Sequence, residues 1–189
     1  MKKLKSVIMI AVVTIMATQI MNAQSTKEKT VTVGGAAMYP SKNIVENAMN
    51  SKDHTTLVAA VKAAGLVETL SSAGPFTVFA PTNAAFDKLP KGTVETLVKP
   101  ENKATLAKIL TYHVVAGKVD SKTLIDMIKK SDGKAELTTV NGEALTAQIE
   151  GSKVAITDAK GNKAFVTIAD VYQSNGVIHV TDAVSMPAK

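Results

Sequence analysis

Several residue types are missing or scarce in this chain of 189 residues. It has no cysteine, so neither disulfides nor cysteine-ligated metals can hold its fold together. It has no arginine, and the planar guanidinium group is the usual reader of phosphates and guanine edges, so nucleic-acid binding is not predicted. Tryptophan is also absent, and three tyrosines and four phenylalanines leave few residues for an aromatic binding platform.

The amino terminus carries a long hydrophobic run. Three lysines within the first five residues precede an apolar stretch over residues 7–20, and Ala23 ends a short segment of small and polar residues after it. This order is typical of a secretory signal peptide, and we expect residues 1–23 to be removed. A transmembrane anchor is the alternative, but the run is shorter than the ~20 apolar residues that a bilayer needs. The product is predicted to be periplasmic or secreted, without stable membrane insertion.

The rest of the chain has the length of one domain and a short tail. Removing residues 1–23 takes away three lysines and lowers the formal charge from +6 to +3, so part of the basicity belongs to the targeting segment. Residues 24–40 are polar, contain the pair Gly34-Gly35 and show little periodicity. We therefore predict a flexible linker over 24–40 and a single domain over 41–187.

The first half of this domain shows mainly helical periodicity. Helices are predicted behind a cap at Ser41 or Asn43, over 55–64 with Gly65 as its end, over 84–89, over 100–111 and around 124–128. Short strands are predicted at 76–79 and 112–115.

The second half has the alternation of β-strands. Strands are predicted over 136–140, 144–149, 154–157, 164–168 and 177–180. Asn141-Gly142 predicts a type I′ hairpin, because both central residues of that turn need positive φ. Helices with early strands followed by a late meander indicate an α+β fold.

Three sequence blocks occur in a recognisable order. They are GPFTVFAPTNAAF at 74–86, YHVV at 112–115 and NGVIHVTDAV at 175–184. In content and spacing they resemble the signature boxes and the tyrosine-histidine box of the fasciclin family. The resemblance covers about 41–187 and implies an α+β domain, a β-wedge or sandwich with several short helices packed against it, of the secreted single-domain bacterial form.

The resemblance also implies roles for individual residues. The family's structural signature falls here on Thr77, Phe79, Pro81, Thr82, Asn83, Phe86, Asn175, Gly176 and His179. Partner contacts of animal members correspond to Tyr112, His113, Asp170 and Val171, the last replacing an isoleucine.

The residues themselves leave packing and contact roles open at Tyr112 and His113. In an alternating strand one of these two neighbours must face the core, where its phenol or imidazole would need a buried partner. His179, inside an apolar run, invites the same interpretation. Thr82 and Asn83 are predicted to cap the helix that begins near Ala84.

No catalytic residue, metal site or cofactor is predicted. The three histidines are scattered and form no HExxH motif, and no G-x-S-x-G nucleophile elbow occurs. The leading hypothesis is therefore a non-catalytic module for adhesion to a cell-surface or extracellular-matrix protein or glycan. The alternative is a carrier of a small ligand or polysaccharide, which would need a pocket between the β-wedge and the helices.

Overall fold

The computed structural model describes residues 28–188, so the predicted signal peptide at 1–23 lies outside the described residues. In chain order the elements are β1 (Val31–Val33), β2 (Ala36–Met38), α1 (Ile44–Ala48), α2 (Thr55–Ala64), α3 (Val67–Ser71), β3 (Phe76–Pro81), α4 (Asn83–Asp87), α5 (Thr93–Leu97), α6 (Lys103–Tyr112), β4 (Val114–Ala116), α7 (Ser121–Lys130), β5 (Lys134–Thr138), β6 (Ala144–Glu150), β7 (Lys153–Thr157), β8 (Lys163–Gln173) and β9 (Gly176–Thr181). Short 3₁₀ turns precede α2 (Lys52–His54) and α6 (Pro100–Asn102).

The segment expected to be a flexible linker contains a hairpin. Strands β1 and β2 pair antiparallel, and Val33 and Met38 are buried in the domain. The carbonyl of Gly34 accepts a hydrogen bond from the backbone N–H of Lys52 at 3.1 Å. The linker prediction is therefore wrong over residues 31–38, because the glycine turn lets two separated apolar residues reach the core together.

The first two helices follow their sequence signals. Of the two proposed caps, Asn43 is the one that caps α1: its side chain accepts from the N–H of Glu46 at 2.9 Å, and the Glu46 carboxylate accepts from the N–H of Asn43 at 2.8 Å. Helix α2 has the predicted bounds and ends at Gly65, whose φ of 72° is left-handed.

Seven strands form one sheet in the order β4-β3-β9-β8-β7-β6-β5. The adjacent strands β3 and β9 are parallel and buried on both faces, as their nearly continuous apolar sequences require. An isolated bridge between Val115 and Thr139 brings the two ends of the sheet together, so the sheet is nearly closed. The α+β prediction is confirmed.

The loop between β5 and β6 differs from its prediction. Gly142 has a φ of 93°, but Asn141 is not among the described residues with positive φ. The N–H of Gly142 donates to the carbonyl of Thr139 at 2.9 Å, and Thr139 and Glu143 pair across the loop. The type I′ prediction is wrong: one left-handed glycine after an ordinary turn, the longer hairpin type with a bulge, closes this loop.

Two hydrophobic cores lie on the opposite faces of β3 and β9. We call the first the helix core; it contains Val78 and Ala80 of β3, Ile178 and Val180 of β9, and the apolar faces of α1, α2 and α6. We call the second the meander core; it contains Phe79, Tyr112, Val115, Leu124, Ile128 and the inward residues of β5, β6 and β7. Consecutive residues of one strand thus belong to different cores.

Candidate functional site

The corner after β3 is built from the first sequence block. The Thr82 hydroxyl accepts from the N–H of Ala85 at 3.3 Å and caps α4, which begins at Asn83, one residue before the predicted start. The Asn83 side chain does not cap this helix; it accepts from the N–H of Thr56 at 3.0 Å and donates to the carbonyl of Lys52 at 2.8 Å. Asn83 therefore ties the corner to the start of α2.

The other signature residues of this block are also internal. Phe79, Pro81 and Phe86 are buried. The Thr77 hydroxyl donates to the carbonyl of Gly117 at 2.7 Å and accepts from the N–H of Val119 at 2.8 Å. These two bonds fix the loop between β4 and α7 against β3.

Tyr112 belongs to a helix and not to the predicted strand. It is the last residue of α6, and β4 begins at Val114. Its side chain is fully buried in the meander core, where the hydroxyl donates to the carbonyl of Ala144 and accepts from the N–H of Ala159, both at 2.9 Å. Burial raises the pKa of the phenol above its ordinary value. Tyr112 thus joins α6 to the start of β6 and to the loop between β7 and β8.

His113 faces the opposite core. Its Nε2 accepts from the N–H of Ser185 at 2.9 Å, so the neutral ring carries its proton on Nδ1, which donates to the carbonyl of Ile109 at 2.8 Å. Burial lowers the pKa of this imidazole, with the Ile109 carbonyl opposing part of the effect. His113 holds the carboxyl-terminal segment against α6 and has no ring nitrogen left for a partner.

The second signature block places Asn175 and Gly176 at the start of β9. The Asn175 amide accepts from the N–H of Ile44 at 3.0 Å and donates to the carbonyls of Leu70 and Ser72, each at 2.9 Å. A side chain at Gly176 would collide with the carbonyl of Phe76 on the adjacent strand. Asn175 therefore closes two helix ends, and Gly176 permits the close approach of β3 and β9.

Asp170 and Val171 lie at a bend of β8. The register with β9 shifts between Ile168 and Val171, and Asp170 has a left-handed φ of 58°. Its carboxylate accepts from the N–H of Ser121 at 2.7 Å and from the Ser121 hydroxyl, at the start of α7. Val171 is fully buried in the helix core. Asp170 thus holds the start of α7, and Val171 anchors the bend of β8 in the core.

His179 supports the same bend from β9. Its Nε2 donates to the carbonyl of Val119 at 2.9 Å, and its Nδ1 accepts from the N–H of Asp170 at 3.4 Å. The ring stacks on Phe79 with 5.6 Å between the centroids. Burial lowers the pKa of His179, so the neutral ring suits the interior.

One residue beyond Val171, the strand turns a tyrosine outward. Tyr172 is 36% exposed, and the Lys118 ammonium lies 4.7 Å from the centre of its ring. Its hydroxyl lies 3.5 Å from a carboxylate oxygen of Asp120, the residue that caps α7. The N–H of Thr123 lowers the pKa of the Asp120 carboxyl and keeps it charged. Tyr172 was not among the contact residues predicted from the sequence, although the strand alternation after an inward Val171 places it outward.

A narrow apolar cavity of about 40 Å³ lies between the helices and the sheet. Its walls come from α1, α2 and α6 on one side and from β3 and β9 on the other, with Met38 of the hairpin and His113 at its edges. His54 also lines it; its Nδ1 lies 2.9 Å from the Ser51 hydroxyl, and burial lowers the pKa of the ring, with the backbone carbonyl of Ala80 opposing part of the effect. The spacing of three residues between His54 and Leu57 places this histidine in line with the apolar face of α2, a signal present in the sequence.

Membrane-spanning helices and metal-binding clusters are both absent from residues 28–188. No helix in this range is long and apolar enough to cross a membrane. No group of three or more histidine, aspartate or glutamate side chains in the same range is arranged to hold a metal ion.

The sequence of the described domain matches a family model. The model is that of the fasciclin domain, and the match extends over residues 52–187, from the 3₁₀ turn before α2 to three residues beyond the second signature block. The chain belongs to the fasciclin family. The residues matched include Tyr112, His113, Asp170, Val171 and Tyr172, but neither the amino-terminal hairpin nor α1.

Relatives of this fasciclin-family chain occur in bacteria and animals. It is 50% identical over 172 residues to the protein sll1483 of Synechocystis, covering 91% of this chain and 88% of that protein. It is 36% identical over 160 residues to the cell surface glycolipoprotein MPB83 of Mycobacterium bovis, covering 82% of this chain and 64% of that protein. It is 35% identical over 151 residues to the transforming growth factor-beta-induced protein ig-h3 of Sus scrofa, covering 78% of this chain and 20% of that protein.

A solved structure shows the same fold. The FAS1 domain pair of the insect cell adhesion molecule Fasciclin I matches with a TM-score of 0.53 and 23% identity, covering 69% of this chain and 43% of that one. The fasciclin-like fold predicted from the sequence is therefore confirmed. The partner-binding roles of Tyr112, His113, Asp170 and Val171 stay predictions, and in this structure all four have the internal contacts given above.

Proposed function

We propose that this chain is a secreted or periplasmic, non-catalytic interaction module that associates with a cell-surface or extracellular-matrix protein or glycan. The observation that carries the proposal is the exposed surface of Tyr172, Lys118 and Asp120, which we call the Tyr172 surface. It adjoins Asp170 and Val171, where the family resemblance implies partner contacts. In this proposal Asp170 and Val171 position the Tyr172 surface, and the side chain of Tyr172 contacts the partner.

The chemistry of the Tyr172 surface supports this role. Tyrosine offers a large apolar ring with a polar tip and loses little conformational freedom on binding, which is why it is frequent in interfaces. Here the ring is held between a cation and an anion, so it is ordered before a partner arrives. The neighbouring Asp170 and Ser121 bonds keep β8 and the start of α7 in a fixed relation.

The comparisons support the coarser part of the proposal. MPB83 is by name a cell surface protein and Fasciclin I a cell adhesion molecule, so chains of this fold are used at cell surfaces. Secretion of the present chain rests on its amino-terminal sequence.

The test compares two exposed tyrosines of the same protein. Tyr39 is 40% exposed and has the Lys42 ammonium 5.3 Å from its ring centre, so it matches Tyr172 in exposure and in its cation. Full-length protein and the variants Tyr172→Ala and Tyr39→Ala are purified, and their binding to the producing cells, to matrix proteins and to glycans is measured. We expect Tyr172→Ala to weaken binding at least tenfold, the loss of one interface anchor, and Tyr39→Ala to leave it unchanged.

Thermal unfolding of both variants is the control, since exposed substitutions should leave stability nearly unchanged. Equal binding by the native protein and Tyr172→Ala would move the contact away from this surface. Absence of binding to all three kinds of target would reject the adhesion function itself.

A carrier of a small apolar ligand is the second candidate function. This function needs a pocket between the β-wedge and the helices, and the apolar cavity lies in that place. Its volume of about 40 Å³ is small beside the ~300–1,000 Å³ of usual ligand pockets, so the carrier is placed second to the interaction module.

A further inference from the structure

The outer face of the meander carries a polar groove. The inward residues of β5, β6 and β7 belong to the meander core, so the residues that alternate with them point to the opposite face. A groove of about 620 Å³ lies on that face, which is within the ~300–1,000 Å³ of usual ligand sites. The residues that line it are all polar: Ser131, Lys134, Glu136, Thr146, Gln148 and Thr157.

The strand register places five of these side chains in two rows. Glu136 pairs with Thr146, and Thr146 pairs with Thr157, so these three form one row across β5, β6 and β7. Lys134 pairs with Gln148 in the next row. The rows are about 7 Å apart along the strands, and the longer row extends about 10 Å across them. The groove can therefore contact several polar groups of one ligand at once.

Gln148 is held in place by an ion pair beside the groove. The Glu150 carboxylate accepts hydrogen bonds from the Gln148 amide and from the Lys163 ammonium, which reaches it from β8. The hydrogen bond from Lys163, more than that from Gln148, lowers the pKa of Glu150 and keeps its carboxylate charged. The amide nitrogen of Gln148 is thus directed to Glu150, which orients the amide oxygen before a ligand arrives.

The lining offers both donors and acceptors of hydrogen bonds. Its three hydroxyls and the Gln148 amide can each donate or accept, whereas Lys134 only donates and Glu136 only accepts. The hydroxyl of Thr157 is buried and has no hydrogen-bond partner among residues 28–188. A sugar ring presents neighbouring hydroxyl groups that also donate and accept, so a set of this kind can pair with several of them.

The charges of the groove favour a neutral ligand. Its lining has one cation, Lys134, and one anion, Glu136, and the adjacent pair of Glu150 and Lys163 is also balanced. A nucleic acid would require an excess of cations. The centre of a protein interface is usually apolar, whereas these lining residues are all polar. A neutral molecule rich in hydroxyl groups therefore fits best.

We infer that this groove binds a neutral oligosaccharide, whose ring hydroxyls exchange hydrogen bonds with Glu136, Thr146 and Gln148. This role rests on the interaction function proposed above; it narrows the partner to a glycan and adds a second binding surface. The groove adjoins the start of β8, where Lys163 pairs with Thr157, and Tyr172 lies near the end of the same strand. The two surfaces can therefore be altered separately.

The experiment measures binding of hexasaccharides to the full-length protein by isothermal titration calorimetry. The neutral probes are maltohexaose, cellohexaose and mannohexaose, which differ in linkage and in the orientation of their hydroxyl groups. Hexaguluronate, with a carboxylate on every ring, is the charged comparison. We expect at least one neutral probe to bind, equally well at low and high salt because no ion pair with the ligand is involved, and hexaguluronate to bind at least tenfold more weakly.

Variants assign the contacts in the groove. Thr146→Val removes one hydroxyl with little change of shape, and Gln148→Leu removes the amide. Each should weaken binding of the neutral probe about five- to tenfold, since about one hydrogen bond to the sugar is lost. Thr32→Val, at an exposed strand threonine of β1, is the matched control and should leave binding unchanged. Thermal unfolding of each variant verifies that the domain is folded.

The outcomes separate the groove from the proposed function. Sugar binding that is lost in Tyr172→Ala but kept in Thr146→Val and Gln148→Leu would place the sugar at the Tyr172 surface and overturn the inference. Tighter binding of hexaguluronate, or absence of binding by all three neutral probes, would also overturn it. The interaction function would still stand in that case if the native protein binds cells or matrix proteins and Tyr172→Ala does not.

Discussion

The two cores of the domain share the strands β3 and β9 but are filled to different degrees. In the meander core the hydroxyl of Tyr112 has both a donor and an acceptor, and on that face His179 uses both ring nitrogens. The helix core is equally well bonded at His113, but it keeps an apolar cavity of about 40 Å³. The comparison teaches that one face of these strands is a filled scaffold and the other retains a small unfilled space.

The elements that cover each face account for the difference. The meander core is closed by paired strands whose small inward residues Ala135 of β5 and Ala147 of β6 allow α7 and the sheet to approach closely. The helix core is covered partly by α1 and α3, which have five residues each, and by the hairpin of β1 and β2. Short helices pack fewer side chains into one another than long ones, so gaps between them are harder to fill.

Truncation of Phe79, which contributes to both cores, should have the largest effect on stability. Phe79 is 1% exposed, belongs to the meander core and also lines the cavity. We expect Phe79→Ala to lower the free energy of unfolding by about 3 to 5 kcal/mol, because it adds a cavity and removes the stacking partner of His179. Urea unfolding measures the change through the transition midpoint.

Phe165→Ala is the matched control, since that ring is only half-buried. A loss below about 1 kcal/mol for Phe79→Ala would mean that the two cores do not depend on this ring.

Acidification should have the second-largest effect on stability, because it protonates three buried histidines. Burial lowers the pKa of His54, His113 and His179 below the ordinary value of 6.5. In the unfolded chain these rings bind protons near pH 6.5, and in the folded chain they do so only at lower pH. Stability is therefore full above pH 6.5 and falls below it, by at most about 1.4 kcal/mol per pH unit for each histidine.

Urea unfolding at several pH values between about pH 7 and pH 5, the range in which histidines titrate, measures how the free energy of unfolding changes with pH. Hydrogen bonds lower the pKa of Asp120 and Glu150, so their contributions are lost only near and below their ordinary values of 3.8 and 4.5. His54→Leu removes one titrating ring and should reduce the slope. An unchanged slope in that variant would show that His54 is protonated equally in both states.

Loss of one hydroxyl should reveal how completely the meander core is satisfied. Tyr112→Phe leaves the carbonyl of Ala144 and the N–H of Ala159 without their partner, and we expect a cost of about 1 to 3 kcal/mol. Tyr39→Phe, at an exposed tyrosine, should change stability little. Equal midpoints for the two variants in urea would indicate that water replaces the Tyr112 hydroxyl.

The smallest and most selective test adds one methylene group to each core. Val78 of β3 lines the cavity, and Val115 of the neighbouring strand β4 belongs to the meander core, with 6% and 5% exposure. Val78→Ile should stabilise the domain by up to ~0.8 kcal/mol, the gain for burying one CH₂ group, whereas Val115→Ile should destabilise it by about 1 kcal/mol or more through overpacking. Changes of opposite sign in the thermal unfolding temperatures of the two variants would establish that the cores differ in packing. Changes of the same sign would contradict that difference.

Much of the fold was predictable because it depends on local sequence. The bounds of α2, the cap at Asn43 and the late β meander follow from periodicity and from capping residues, which act within a few positions of the chain. Errors occurred where distant contacts decide. The hairpin at 31–38 forms because Val33 and Met38 meet the helix core, and the boundary at Tyr112 is set by bonds to Ala144 and Ala159.

The candidate site was less predictable for the same reason. The sequence identified the neighbourhood of Asp170 and Val171, but it could not tell that their contacts are internal and that Tyr172 is the exposed residue beside them. Nor could it tell that His54, eight residues from Lys62, faces a cavity.

By itself the sequence determined the family, the α+β class and the order of the elements, because the three signature blocks and the periodic patterns are properties of neighbouring residues. The tertiary structure alone decided which face of β3 and β9 would be filled, where the bend of β8 turns Tyr172 outward, and which side chains would line the cavity. Those outcomes depend on side chains far apart in the chain, whose packing and hydrogen bonds exist only when the sheet and the helices meet.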